Sequence, residues 1–282
     1  MTFLLRFISF LAYSNSWIGL GAAALIWQYY FIYDLVCNWQ LIAFVFFATV
    51  LTYTFQRYYK IISDTKQVGL RMVWMKRNPN LIKGILVVSA LGCLPFLFSM
   101  TVTSLLLLFG CGVLSLFYVV KIPGKIGRNL RDIPSLKIFL IGIVWAATSA
   151  FLPYLNEPVG SVEIPWILFI ADFLFVVGIT IPFDIRDIIL DESEKKTIPQ
   201  LLGEKKALWI AVLMLMVNYA LLTLIVDSPL MLSLTCLTLS IIFVRASTKD
   251  SPDIYFSFFI DGLLILQPIL LFVDLLALKN AV

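Results

Sequence analysis

Nine apolar stretches constrain this chain more than any other feature of its sequence. A helix needs about 20 mostly apolar residues to cross the hydrocarbon core of a bilayer, and each stretch is close to that length. Hydrophobic residues make up 61% of the 282 residues and charged residues only 13%, whereas soluble domains carry about 25% charged residues. The predicted spans are 11–32, 39–59, 82–99, 101–120, 136–154, 164–183, 206–226, 229–245 and 257–276. The predicted fold class is therefore all-α, a single domain over residues 1–282 built as a bundle of nine transmembrane helices.

The basic residues predict how this bundle sits in the membrane. All of the 21 Lys and Arg residues except Lys279 lie before the first span, or in and beside the loops that follow spans two, four, six and eight. Cytoplasmic loops carry the excess of basic residues, so the N-terminus is expected in the cytoplasm and the C-terminus outside. We expect a multi-pass protein of the bacterial inner membrane. The net charge of +4 follows from this topology and from contact with anionic lipid, so no nucleic-acid partner is expected.

Three carboxylates at the end of the sixth span are the strongest candidates for chemistry. The sequence contains no histidine, which excludes His-ligated metals and a His general base. Asp184, Asp187 and Asp191 stand at i, i+3 and i+7, so on a helix they would share one face over about 10 Å. Such a face favours a hard cation, and Mg²⁺ combines one or two carboxylates with water and phosphate oxygens. The alternative is a solvated helix end whose carboxylates are paired with neighbouring cations.

The residues after this cluster indicate a family. Asp184, Asp187 and Asp191 are followed by Lys196-Thr197-Ile198-Pro199 and then by Leu201-Leu202-Gly203. This stretch resembles the second Asp-rich motif of the UbiA superfamily of intramembrane prenyltransferases, with Phe183 in place of the motif's Asn. The resemblance extends over most of the chain, and its specific part covers residues 183–203. Further residues that carry it are Leu116, Phe117, Tyr118, Lys121, Pro123, Arg131, Pro134, Lys137 and Trp145.

The resemblance implies a fold, a ligand and a reaction. In that family, Asp-rich motifs hold Mg²⁺ ions, which bind the diphosphate of a polyprenyl donor, and an aromatic or lipid acceptor then receives the prenyl group. It therefore implies one Mg²⁺ held by Asp184, Asp187 and Asp191, which would be the catalytic residues, in a prenyltransferase of the lipid bilayer. Cyclisation of the prenyl chain belongs to the same class of reaction and needs no acceptor.

The first Asp-rich motif of the family is changed in this sequence. Aligned with that motif, Gln56 replaces Asn, Arg57 and Lys60 replace the first two Asp residues, and Asp64 remains. A divalent cation is not expected beside Arg and Lys with one carboxylate. In one explanation Gln56, Arg57 and Lys60 bind the diphosphate directly, since Arg offers a bidentate fork and Lys a point charge. In the other, Arg57 and Lys60 pair with the aspartates of the second motif, giving a non-catalytic isoprenoid-binding protein or pseudoenzyme.

Several other residues are weaker candidates. Lys121 and Arg131 follow the fourth span, where the family places cations near the diphosphate, and Tyr118 precedes Lys121 by three residues. Asp172 lies inside the sixth span, and an acid within a membrane is a functional candidate by default, here one that would orient an acceptor. A secondary transporter is disfavoured, because transporters carry charges near the bilayer midplane and here the charges cluster at one face.

Overall fold

The computed structural model describes residues 3–63, 69–121, 130, 133, 136–158, 160–189 and 197–281. Every regular element in these ranges is helical. The predicted all-α class is therefore confirmed for the part of the chain described. The α-helices are α1 (Phe3–Tyr13), α2 (Ser16–Ile32), α3 (Trp39–Ile62), α4 (Leu70–Arg77), α5 (Pro79–Leu97), α6 (Val102–Phe117), α7 (Leu136–Ala146), α8 (Leu152–Asn156), α9 (Trp166–Arg186), α10 (Ile198–Leu202), α11 (Glu204–Val226), α12 (Met231–Ala246) and α13 (Asp261–Ala281).

Each predicted span coincides with a helical segment. Six continuous helical segments are long and apolar enough to cross a membrane, and Val102–Phe117 and Met231–Ala246 are shorter apolar helices. The chain is thus an integral, multi-pass membrane protein, while the count of nine spanning helices stays a prediction. One boundary was wrong: the first predicted span is interrupted at Asn15, which has a left-handed φ of 67° and separates α1 from α2.

Two of the spans contain a wider helical turn. Residues Ala147–Phe151 form a π-helical segment between α7 and α8, and Tyr255–Ile260 form another that leads into α13. Such π-helical turns are inserted into α-helices, frequently at functional sites. The first follows α7, which carries Lys137 and Trp145, and the second leads directly to Asp261.

The helices close into a ring around a central cavity. Helix α2 packs against α3 and α13, α9 packs against α7 and α11, and α12 joins α11 to α13, while α6 contacts α7 and α8. The contact between α7 and α9 is close because Gly142 has no side chain: a Cβ there would lie 2.6 Å from Val177 Cγ2. This ring brings the ends of α3, α7 and α9 to one face of the bundle, where the changed motif and the aspartate motif meet.

Side-chain caps fix the first residues of two of these helices. The Asn38 side chain accepts a hydrogen bond from the Leu41 amide at the start of α3, and Thr101 does the same for Ser104 at the start of α6. Side-chain acceptors at these positions satisfy amides that have no partner within the helix. The start of α3 is thereby fixed, and with it the position of the changed motif about five turns further along.

Candidate functional site

A cavity of about 720 Å³ lies inside the helical ring. Its inner part is apolar and is lined by residues such as Ile18, Phe44, Val45 and Leu264. Its other end is charged, and it is formed by the C-terminal ends of α3 and α9, by α4, by the start of α7 and by the segment before α13. A long apolar chamber with one charged end suits a ligand that has an apolar tail and a charged head.

Cations outnumber carboxylates at this end. We call the charged residues that line it the charged mouth. They are the cations Arg57, Lys60, Arg71, Lys137, Arg186 and Lys249 and the carboxylates Asp187, Asp253 and Asp261. Six cations face three carboxylates, so the described residues of the charged mouth favour an anionic group. Low-dielectric walls strengthen that preference because they screen the charges less than water does.

The two described aspartates of the second motif are each paired with a cation. Asp184 is 2% exposed and accepts a hydrogen bond from Lys137 Nζ at 2.5 Å. Asp187 lines the cavity and accepts from Arg186 Nε at 2.8 Å, and Lys137 Nζ lies 4.0 Å from its other oxygen. The third predicted metal ligand, Asp191, lies outside the described residues.

These pairings bear on the predicted Mg²⁺. A magnesium ion at this motif would have to replace Lys137 and Arg186 as the counter-charge of both carboxylates. Among the residues that the structure describes, no group of three His, Cys, Asp or Glu side chains is placed to hold a metal. The described part of the site therefore does not by itself fit Mg²⁺. It fits an anion.

Arg57 of the changed motif is positioned by an aromatic ring. Its guanidinium carbon lies 5.5 Å from the centroid of the Tyr53 ring, and Trp145 Nε1 donates to the Tyr53 hydroxyl at 3.2 Å. The Arg57 Nη1 atom is buried and has no hydrogen-bond partner among the described residues. Next to it, Gln56 Nε2 donates to the Ser115 carbonyl of α6 at 3.0 Å, which ties α3 to α6 beside the cavity.

Arg71 of α4 brings a second guanidinium into the charged mouth. Its guanidinium carbon lies 5.8 Å from the centroid of the Tyr13 ring. Burial lowers the pKa of the Arg71 guanidinium below its ordinary value, and the nearby Asp261 carboxylate opposes that shift. An arginine stays protonated at neutral pH even so. Arg71 therefore adds a full positive charge to the site.

The structure brings some of the predicted site residues together and separates others. Gln56, Arg57, Lys60, Tyr118 and Asp187 all line the cavity, and Asp184 lies directly behind it as the partner of Lys137. Lys121 is exposed and is not among the residues that line the cavity. Asp172 is fully buried away from the cavity, where it accepts from Gln28 Nε2 at 3.1 Å and from Ser149 Oγ at 2.5 Å. Asp64 and Arg131 lie outside the described residues.

Sequence reasoning missed the roles of three charged residues that shape this site. Arg71 is expected only as part of the cytoplasmic charge excess, no role is expected for Asp261, and Lys137 is matched to the family without a role. Arg186 is one of the neighbouring cations expected to pair with the carboxylates in the alternative interpretation, and it does pair with Asp187. The only sequence signal for Asp261 is an acid within an apolar span. For Arg71, in a loop rich in basic residues, the sequence offers no signal that sets it apart from its neighbours.

Three solved structures are similar to this chain over nearly its whole length. A structure from a study of digeranylgeranylglyceryl phosphate synthase in membranes matches 95% of this chain and 98% of its own, with 17% identity and a TM-score of 0.58. A UbiA homolog from Archaeoglobus fulgidus bound to GPP and Mg²⁺ matches 94% of this chain and 99% of its own, with 13% identity and a TM-score of 0.59. The Archaeoglobus fulgidus homolog bound to DMAPP and Mg²⁺ matches 97% and 100%, with 12% identity and a TM-score of 0.59.

These matches cover nearly the whole of each chain, so the protein has the UbiA fold. The resemblance inferred from residues 183–203 is thereby confirmed at the level of the fold. No protein-family model and no curated protein sequence matches the chain.

Proposed function

We propose that this protein is a UbiA-like intramembrane prenyltransferase that binds a polyprenyl diphosphate in the central cavity. The observation that carries the proposal is the cavity itself: about 720 Å³, apolar inside, with cations in excess at its mouth. The diphosphate would lie among the cations of the charged mouth, and the prenyl chain would extend along α3 and α13 into the apolar part. Two of the solved structures that share the fold contain GPP or DMAPP, which are prenyl diphosphates, and this supports the assignment of the ligand class.

The reaction is displacement at the first carbon of the prenyl chain. The bond between that carbon and the diphosphate oxygen breaks, and its electron pair leaves with the diphosphate. An aromatic or lipid acceptor supplies the electrons of the new bond and loses a proton. Cations fixed beside the diphosphate stabilise the charge that develops on the leaving group, and they act strongly because the site excludes much of the water.

The predicted Mg²⁺ at Asp184, Asp187 and Asp191 stays a prediction, and the proposed function does not depend on it. The solved neighbours contain Mg²⁺ together with the prenyl diphosphate. In this chain, Asp187 is the described motif residue that lines the cavity, and an ion there would have to displace Arg186. A bound Mg²⁺ would supply further charge neutralisation on the leaving diphosphate.

A non-catalytic, isoprenoid-binding protein of the same fold is the second candidate function. Its support is the pairing of Asp184 with Lys137 and of Asp187 with Arg186, which leaves both described motif carboxylates neutralised within the protein. This candidate predicts that Arg57 and Lys60 pair with the aspartates, and Arg57 forms no ion pair with any residue the structure describes. The observed partners Lys137 and Arg186 would serve the same purpose.

Binding of geranylgeranyl diphosphate to detergent-purified protein tests the proposal. Geranyl and farnesyl diphosphate are measured alongside, each with Mg²⁺ and with EDTA, because the donor's chain length is open. We expect saturable binding of at least one donor. If none binds in either condition, the proposed ligand is wrong.

Diphosphate release separates the two candidate functions. Donor-loaded protein is incubated with a lipid extract and with simple phenolic acceptors, and free diphosphate is measured over time. Release that depends on the protein supports the transferase, whereas stable binding without release supports the non-catalytic protein. In the same assay, an Asp187→Asn variant that binds and releases like the wild type would remove any role for the second motif.

The orientation in the membrane completes the proposal. We propose that the charged mouth opens to the cytoplasm, as the basic loops predict, in a bacterial inner membrane. A water-soluble diphosphate head would then enter from the cytoplasmic side, while the acceptor would reach the cavity from the bilayer.

A further inference from the structure

Three arginines contribute to the charged mouth, and each lies against aromatic rings. Arg57 lies over Tyr53 and Arg71 over Tyr13, at 5.5 and 5.8 Å from the ring centroids. Arg186 lies 5.3 Å from the centroid of Phe183 and also contacts Phe256. A ring face attracts a guanidinium through its quadrupole and leaves the five N–H donors in the guanidinium plane unused.

The three arginines differ in what their donors bind. Arg186 Nε donates to Asp187 at 2.8 Å, so it is already part of an ion pair. Arg57 and Arg71 form no ion pair with any residue in the described part of the chain. Arg57 Nη1 is also buried without a hydrogen-bond partner there. A buried guanidinium N–H without an acceptor is costly, and such a group in a cavity wall indicates a ligand that supplies the acceptor.

Arg57 and Arg71 also act on each other. The charge of Arg71 is the strongest single-charge influence on Arg57, and the Asp261 carboxylate acts on both of them as well as on Arg186. Asp187 pairs with Arg186, and Asp253 acts on Arg71 and Arg186. The six cations that line the charged mouth still exceed its three carboxylates, so positive charge is left without a counter-ion. Like charges held close together in a low-dielectric site repel each other, and a bound polyanion relieves that repulsion.

We propose that Arg57 and Arg71 together form a metal-independent receptor for the diphosphate, in the position where the family's first motif would hold a metal ion. This inference rests on the proposed function. Arg57 occupies the place of a metal-binding Asp, and α4 delivers Arg71 to the same mouth of the cavity. Two guanidiniums offer bidentate pairs of donors that match phosphate oxygens in geometry as well as in charge.

The ring contacts explain how the two arginines are held without an ion pair to any carboxylate that the structure describes. Tyr53 is fixed by the hydrogen bond from Trp145 Nε1, and Tyr13 is buried at the end of α1. The ring faces orient the two guanidiniums before the ligand arrives, which reduces the entropy lost on binding. A carboxylate partner would orient them as well, but it would compete with the diphosphate for the same donors.

The test is the dissociation constant of geranylgeranyl diphosphate for the full-length protein, measured in EDTA and in Mg²⁺. We expect the two constants to agree within about twofold, since no metal contributes to capture. Arg57→Gln and Arg71→Gln should each weaken binding about tenfold or more, because each removes charge-assisted hydrogen bonds. Arg77→Gln is the matched control: Arg77 lies in the same helix as Arg71 but is exposed and does not line the cavity. It should bind like the wild type.

Inorganic diphosphate and a conservative variant complete the design. Inorganic diphosphate should compete with the donor in EDTA, and this competition should be lost in Arg57→Gln. If Arg57→Gln does not purify as monodisperse protein, Arg57→Lys and Arg71→Gln carry the test, because lysine keeps the charge but lacks the fork. Arg57→Lys should then bind less tightly than the wild type.

The outcomes separate this inference from the proposed function. Binding that EDTA weakens more than tenfold, or that neither arginine variant changes, overturns the metal-independent receptor and leaves the proposed function standing. Failure of every donor to bind, with or without Mg²⁺, overturns the proposed function instead.

Discussion

At the scale of single residues, Asp184 acts as the buried partner of a lysine. Its side chain is 2% exposed, and Lys137 Nζ lies 2.5 Å from its oxygen in the wall between α7 and α9. A buried charge without its partner is strongly unfavourable, whereas apolar residues of similar volume replace a whole buried pair at little cost. The pair therefore fixes how α7 meets α9 beside the cavity.

Lys137→Met should reduce the free energy of unfolding by about 3–5 kcal/mol, because it removes the cation that pairs with the buried Asp184 carboxylate. Unfolding of purified protein in detergent, followed by circular dichroism, measures the change. The double variant Lys137→Met/Asp184→Leu should recover most of the loss. Lys205→Met is the control, since Lys205 is exposed at the start of α11. A double variant less stable than Lys137→Met alone would contradict the assigned pairing.

Asp274 has a local structural task at the opposite end of the bundle. Its carboxylate accepts from the Leu232 amide at 2.9 Å and from the Ser233 amide and hydroxyl, both at 2.8 Å. A carboxylate from α13 thus caps the first turn of α12, where amides have no partner within the helix. From the sequence, Asp274 is only an acid near the end of an apolar stretch.

Asp274→Ala should therefore lower the free energy of unfolding by about 1–2 kcal/mol, the usual cost of removing an N-terminal cap. Binding of a prenyl diphosphate should not change, because Asp274 does not line the cavity. Asp250→Ala removes an exposed carboxylate and serves as the control. An Asp274→Ala variant as stable as the control would show that the cap contributes nothing.

At the scale of helices, the crossing of α7 and α9 depends on Gly142. A Cβ at this position would lie 2.6 Å from Val177 Cγ2 and 2.9 Å from the Phe173 ring, closer than atoms in contact can approach. In membranes, small residues let helices approach closely, and packing between them replaces the hydrophobic effect as a driving force. The same two helices carry Lys137 and Asp184.

Gly142→Ala should reduce stability by about 1–3 kcal/mol, because the added methyl must displace α9 or its side chains. The loss should be smaller in a Val177→Ala background, where the clashing methyl group is absent. Gly110→Ala is the control, since no atom lies within 4 Å of a Cβ at that position in α6. Thermal unfolding of the four proteins measures the coupling, and an equal loss in both backgrounds would contradict the clash.

The sequence predicts the existence of these helices better than their interruptions. A run of about 20 apolar residues is sufficient to predict a span, because backbone groups in lipid must be paired within the segment. The break at Asn15 and the π-helical segment at Ala147–Phe151 have no comparable signal. Asn15 is instead held by a hydrogen bond to Thr54 Oγ1, a contact between residues far apart in the sequence.

At the scale of the whole molecule, the site too could be predicted only in part, because its local motifs are visible in the sequence and its tertiary contacts are not. The aspartate motif and the changed motif could be found from sequence because each is local, and Asp187 and Arg57 do line one cavity. The partners of the charged residues could not be found. Lys137 lies 47 residues from Asp184 in the sequence, and only the ring of helices brings them together. Arg71 became part of the site because α4 lies over the cavity, a tertiary arrangement without a sequence signature.

The charged residues on the two faces of the bundle allow a test of its orientation in the membrane. Lys279, the one basic residue outside the predicted cytoplasmic set, forms an ion pair with Asp34 in the loop between α2 and α3. The C-terminal end of α13 and this loop therefore lie on the same face. The charged mouth lies at the opposite ends of these helices, because Arg57 and Lys60 are near the C-terminal end of α3 and Asp261 begins α13. The positive-inside rule assigns the face with the basic loops to the cytoplasm.

Single-cysteine labelling in intact bacterial cells checks this assignment. In a background in which all four native cysteines, Cys37, Cys93, Cys111 and Cys236, are replaced by Ser, Lys279→Cys should react with a membrane-impermeant maleimide from outside. Lys76 is exposed on α4, and Lys76→Cys should react only after the cells are opened. The orientation depends on the excess of Lys and Arg in the loops rather than on any single residue, so neither substitution should invert it. The reverse labelling pattern would place the charged mouth outside and exclude delivery of the diphosphate from the cytoplasm.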